Sequence, residues 1–161
     1  MSNLKYVDTL VTFSEIPDEI SLCINISNCP HRCNGCHSPY LQEDIGMELN
    51  ENELEGLICN NKGITVVCFM GGDNNIQLLT SFADIVHKNG LKVAWYSGID
   101  YKLDNDIITR YSYQHFDYVK TGPYIKELGP LTSKTTNQRL YERISTNPYK
   151  FKDITYKFWK Q

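Results

Sequence analysis

The chain has 161 residues, enough to bury one sizeable core, and we read residues 1–161 as a single domain. A net charge of −3, with Lys and Arg scattered rather than clustered, excludes a polycationic surface for nucleic acid. No apolar run approaches membrane-spanning length, and the first residues lack the apolar core of a signal peptide. The expectation is therefore a cytoplasmic protein with neither a nucleic-acid nor a membrane partner.

Residues 6–13 and 20–27 read as strands, joined by the acidic turn Ser14-Glu15-Ile16-Pro17-Asp18. Directly after the second run comes Cys29-Pro30-His31-Arg32-Cys33-Asn34-Gly35-Cys36, which places three of the six cysteines in one loop. Without a secretory signal, thiols or metal ligation are expected rather than disulfides. Cys23 and Cys68 fall in strand-like runs and Cys59 ends a helix, so these three read as structural.

Residues 50–59 form an amphipathic helix with Asn50 as its cap. Residues 62–70 are almost continuously apolar, as in a parallel strand covered on both faces. Helical spacing recurs over 75–88, a strand follows over 91–96, a shorter helix over 102–110 and a strand over 116–120. This alternation predicts an α/β fold of βαβ units with a mainly parallel sheet. Ligands of such sheets bind at the C-terminal strand ends. The cysteine loop, Gly71-Gly72-Asp73 and Ser97-Gly98 all fall there. Beyond residue 121, Gly122, Pro123, Gly129 and Pro130 suggest a structured loop over that rim, and residues 153–159 alternate like a final edge strand.

Three thiolates can hold three corners of a cubane 4Fe–4S cluster and leave one iron open to a small molecule. The alternative is a Cys3His zinc site using Cys29, Cys33, Cys36 and either His31 or His37. Structural zinc usually draws on two ligand pairs separated by a longer loop, and no second cysteine pair follows.

The C-x3-C-x2-C spacing resembles the signature of the radical S-adenosylmethionine enzymes. That resemblance implies a 4Fe–4S cluster held by Cys29, Cys33 and Cys36, with S-adenosylmethionine on the open iron and cleaved to methionine and a 5′-deoxyadenosyl radical. Gly71-Gly72-Asp73 resembles the Gly-Gly-Glu motif that holds the methionine amino group, with Asp in place of Glu. Ser97 would donate to the methionine carboxylate, and His37 would pack beside the adenine. The alternatives are a turn serine and an exposed histidine. Gly35 departs from the aromatic that many superfamily members carry before the third cysteine.

Tyr118-Val119-Lys120-Thr121-Gly122-Pro123-Tyr124-Ile125-Lys126-Glu127-Leu128, Thr135-Thr136-Asn137-Gln138-Arg139 and Trp95-Tyr96-Ser97-Gly98 are similar to segments of the anaerobic ribonucleoside-triphosphate reductase activating proteins. Thr121 stands where those have Asp. The resemblance covers about residues 6–143 and implies a single-domain, incomplete β/α barrel. It also implies a protein substrate, the C-terminal glycine segment of the large reductase, and a flavodoxin- or ferredoxin-type electron donor. Asn137 and Gln138 would contact cosubstrate or partner, or else stabilise their loop. Tyr111, Tyr113, Phe116 and Tyr118 would pack or line a docking face. Competing readings are an activase of another glycyl-radical enzyme such as pyruvate formate-lyase, a radical enzyme acting on a small molecule, and a non-catalytic iron–sulfur electron carrier.

Overall fold

A computed structural model describes residues 3–36, 38–100, 114–144 and 147–159. The expected helix over 102–110, His37, Tyr111 and Tyr113 lie outside the described residues. Eight strands form one sheet: β1 (Leu4–Thr12), β2 (Ser21–Ile26), β3 (Met47–Leu49), β4 (Val66–Met70), β5 (Lys92–Tyr96), β6 (Tyr118–Thr121), β7 (Arg139–Ile144) and β8 (Asn147–Asp153). Two helices are described, α1 (Glu51–Cys59) and α2 (Ile76–Lys88). The spatial order is β3-β1-β2-β4-β5-β6-β7-β8, and the sheet is not closed.

The expectation of a mainly parallel sheet is corrected. Only the central four strands, β2-β4-β5-β6, pair in parallel. The four outer pairings, β3 with β1, β1 with β2, β6 with β7 and β7 with β8, are antiparallel. The cause is the connections. The parallel pair β4–β5 is joined through α2, whereas β1 reaches β2 through a short turn and must reverse direction.

Local chemistry sets the helices. Asn50 and Asn75 stand outside the helical backbone region, and their side-chain oxygens accept from the N–H groups of Glu53 and Leu78. Each satisfies one of the amide donors that a helix start leaves free. Leu79, Phe82, Ala83 and Val86 of α2 then bury one stripe against Phe69, Val93 and Trp95 of the sheet. Phe69 and Phe82 meet with ring centroids 6.3 Å apart.

Alternate residues face the opposite side of the sheet. Ile16, Cys23, Cys68, Ala94, Tyr118, Leu131, Leu140 and Ile154 form a second core there. Because both faces are covered, β4 reads as a continuous apolar run, and β5 does so after Lys92. Cys23 and Cys68 are register partners, free and buried, and Cys59 is free and exposed. Phe116 packs against Trp95 with centroids 5.2 Å apart, and Tyr118 is buried. Both therefore belong to the interior.

The C-terminus departs from expectation. The edge strand is β8, and Thr155–Phe158 is a 3-10 turn rather than a strand. Asp153 Oδ1 accepts from the Thr155 N–H at 2.9 Å, and this local bond turns the chain out of the ladder. Trp159 Nε1 then donates to Leu131 O at 2.9 Å. Among the described residues, no helix is long and apolar enough to cross a membrane.

Candidate functional site

The four parallel strands deliver four loops to one rim. The loop after β2 carries the cysteines, β4 ends in Gly71-Gly72-Asp73, β5 in Ser97-Gly98, and β6 in Gly122-Pro123. They surround a cavity of about 520 Å³ lined by Cys29, Cys33, Cys36, Asp73, Ser97 and Lys120, among others. The segment after β6 closes it on one side through Tyr124, Leu131 and Gln138, in keeping with the expected loop over the rim.

The cysteine loop is held by short bonds. The N–H of Cys29 donates to Leu41 O at 2.9 Å, and that of Cys36 to Cys33 O at 3.2 Å. Asn28 and Arg32 adopt left-handed backbone, with φ of 60° and 46°. Two amides point at sulfur: His31 N–H toward Cys29 and Ser38 N–H toward Cys36, the latter at 3.4 Å. Burial pushes the Cys29 thiol up, and the nearby Asp73, Cys33 and Cys36 add to this, while the His31 amide works the other way. A cation at the loop would favour the thiolates.

Gly71 and Gly72 have φ of 113° and 99°, a region that L side chains avoid. A β-carbon on Gly71 would lie 3.2 Å from Ile26 O, and one on Gly72 would lie 3.1 Å from the Leu79 side chain. The double glycine thus lets the chain turn tightly between β4 and α2 and present Asp73. That carboxylate is 4% exposed. Its Oδ2 accepts from His31 Nε2 and from the Gly98 N–H at 2.9 Å. Its Oδ1 is buried with no hydrogen-bond partner among the described residues. A buried carboxylate oxygen without a donor is costly, and it marks where a ligand donor fits.

Ser97 is fully buried, and its Oγ accepts from the Ile99 N–H at 3.0 Å. The turn role is thus visible, and its O–H remains available as a donor. Asn137 Nδ2 donates to Pro123 O at 3.0 Å and Gln138 Nε2 to Gly122 O at 3.4 Å, so both amides hold their own loop. Gln138 also reaches the cavity.

Lys120 was not singled out by the sequence. Its buried ammonium donates to Ser97 O and Gly122 O, each at 3.0 Å. Burial pushes it down to about 8, against the pull of Asp73 and the three loop thiols. A lysine in the middle of a short interior strand, two residues from a buried Tyr118, was the available signal. Tyr96 is the other residue missed: its hydroxyl donates to Glu15 O and ties the β1–β2 turn to the cavity wall.

Three soft sulfur donors on one loop, two of them facing amide N–H groups, suit an iron–sulfur group. Among the described residues, no group of three or more His, Cys, Asp or Glu side chains converges on a single-ion site. A cubane does not require such convergence, because each thiolate bonds a different iron. Residues 20–142 match the family model of the 4Fe-4S single cluster domain, and the chain belongs to that family. It is an iron–sulfur protein whose matched region spans all four rim loops. No curated protein and no solved structure matches it significantly.

Proposed function

We propose that this protein is a cytoplasmic radical S-adenosylmethionine activase that generates a glycyl radical on an anaerobic ribonucleoside-triphosphate reductase. The observation that carries the reading is the meeting of the cysteine loop, Asp73 and Lys120 around one cavity of about 520 Å³, with Asp73 Oδ1 unpartnered. An electron carrier needs a fourth ligand for its cluster but no such rim.

Cys29, Cys33 and Cys36 would hold the 4Fe–4S cluster and leave one iron for the cosubstrate. When bound, the reduced cluster supplies the electron that breaks a carbon–sulfur bond of S-adenosylmethionine and so provides the 5′-deoxyadenosyl radical. The chain's own residues bind and orient. Asp73 Oδ1 accepts from the methionine ammonium, the Ser97 hydroxyl and the Lys120 ammonium face its carboxylate, and Gly71 and Gly72 allow close backbone approach. His37 is assigned to the adenine by resemblance alone. No side chain need move a proton during hydrogen-atom abstraction, so positioning is what the protein contributes.

In this reading the open eight-stranded sheet is an incomplete β/α barrel whose missing wall is supplied by the substrate. That substrate is the C-terminal glycine segment of the large reductase, and a flavodoxin- or ferredoxin-type protein provides electrons. The test is anaerobic reconstitution with iron and sulfide, then dithionite and S-adenosylmethionine, with 5′-deoxyadenosine assayed with and without the reductase. The expected result is 5′-deoxyadenosine, lost in Cys33→Ala, and a glycyl-radical signal on the reductase. A full iron complement with no cleavage, even with the reductase present, would instead support the electron carrier.

A further inference from the structure

We infer that His31 is a positioning residue that fixes the Asp73 carboxylate for the cosubstrate and couples it to the cysteine loop. The inference rests on the reading that this rim binds S-adenosylmethionine, and it adds a residue to which that reading gives no role.

The two oxygens of Asp73 are treated differently. Oδ2 is saturated by the His31 ring and the Gly98 amide, while Oδ1 is buried and open. A carboxylate anchored at one oxygen cannot rotate to satisfy the other, so the open acceptor keeps a fixed direction. The His31 ring, with its hydrogen on Nε2, is the side-chain donor that enforces this. Asp is one methylene shorter than Glu and has less freedom to search for its ligand, so its orientation has to be set by neighbours.

The ring has a prepared seat. A β-carbon on Gly98 would lie 2.5 Å from His31 Cδ2, closer than real carbon contacts come. Glycine at the end of β5 therefore makes the space that the imidazole fills, and the same residue donates its own N–H to Asp73. His31 is also bound at its other end, where its backbone N–H faces the Cys29 sulfur. One residue thus bridges a proposed iron ligand, the proposed ammonium acceptor and the end of β5. The loop that holds iron and the turn that holds cosubstrate are joined through a single imidazole.

The test compares wild type, His31→Ala, His31→Gln, Asp73→Asn and the double variant His31→Ala with Asp73→Asn, each reconstituted anaerobically as the full chain. Iron per chain is measured first, then S-adenosylmethionine affinity by calorimetry and by the change in the reduced cluster's paramagnetic spectrum. Gln can place an amide nitrogen near the position of Nε2. The expected result is normal iron in His31→Ala with affinity weakened about tenfold or more, the size of a lost hydrogen bond to a charged group. His31→Gln recovers most of it. On the Asp73→Asn background, His31→Ala adds little further loss, because both act through one carboxylate.

Wild-type affinity in His31→Ala, with full iron, would overturn the inference and leave the functional reading intact. Loss of iron in both His31 variants would also overturn it, by assigning the residue to folding of the loop. Iron-loaded wild type that binds no S-adenosylmethionine would sink the functional reading and this inference together.

Discussion

The ammonium of Lys120 lies 3.0 Å from the backbone oxygen of Ser97, so a buried cation from β6 closes the end of β5 at the cavity wall. Its 3.0 Å bond to Gly122 O fixes the start of the next loop in the same way. Asp73 and the three loop thiols lie within the electrostatic reach of this charge, so a reduced, more negative cluster held by the thiols would too.

Lys120→Met keeps the length of the side chain and removes that charge. A nearby cation stabilises the reduced state of a cluster, and the potential depends on local net charge. The expected outcome is a midpoint potential lowered by tens of millivolts, read by spectroscopic redox titration of the reconstituted protein. An unchanged potential would place Lys120 outside the cluster's field.

Two glycine substitutions should act in opposite directions. Gly71→Ala forces a β-carbon into φ of 113° beside Ile26 O, at a cost of about 1–3 kcal/mol, or roughly 2–12 °C in Tm for a chain of this size. Gly56 lies in α1, and a β-carbon there meets nothing within 4 Å. Gly56→Ala should stabilise by about 0.5–1 kcal/mol. Thermal unfolding of the two single variants checks both signs.

Acid stability should depend on Glu19. Burial alone would raise this carboxyl, but hydrogen bonds from Lys92, Tyr118 and Thr65, with the Lys92 charge, overcome it and leave it below its ordinary value. The folded state thus binds fewer protons than the unfolded one at this site. Its contribution is present above the unfolded value of about 4.3 and is lost as pH falls through the lower folded value. Glu19→Gln should lower stability at neutral pH by about 1–3 kcal/mol and flatten the dependence on pH below that value. Urea titrations from neutral to acid pH give both quantities.

Cys33→Ser should separate iron from fold. Cys33 is only partly buried, so the apoprotein should unfold within about 0.5 kcal/mol of wild type. Reconstitution should yield markedly less iron and little cluster absorbance. Wild type, once loaded, should lose iron on exposure to air, because in the proposed ligand set one iron would lack a protein ligand. Iron content before and after aeration tests this.

The strongest periodicities were legible. Asn50 marked the start of α1, helical spacing over 75–88 marked α2, and the apolar runs marked β4 and β5, because burial on both faces leaves few polar positions to confuse the pattern. The outer strands were harder. Met47–Leu49 is three residues with Met47 and Glu48 exposed, and it exists only because β1 offers an edge. In β7, Leu140 and Tyr141 are neighbours on opposite faces, yet both are buried, so the alternation that betrays a one-sided strand is absent. Residues 153–159 alternate convincingly, but one hydrogen bond from Thr155 to Asp153 outweighs the pattern.

The site was legible as motifs but not as contacts. Spacing identified the cysteine loop, and strand ends identified Gly71, Gly72, Asp73, Ser97 and Gly98 as neighbours. Nothing local announces that His31 reaches Asp73, 42 positions away, or that Lys120 is enclosed. Both follow from how the strands are ordered across the sheet.

The Glu19 network sits where the parallel strands begin, joined by Thr65 ahead of β4, Lys92 at the start of β5 and Tyr118 at the start of β6. The chemistry-bearing loops sit where those strands finish. Foundation and workshop occupy opposite ends of the same four strands. The rim can therefore be re-lined, by natural drift or by an engineer seeking a different ligand, without touching the polar clamp beneath it.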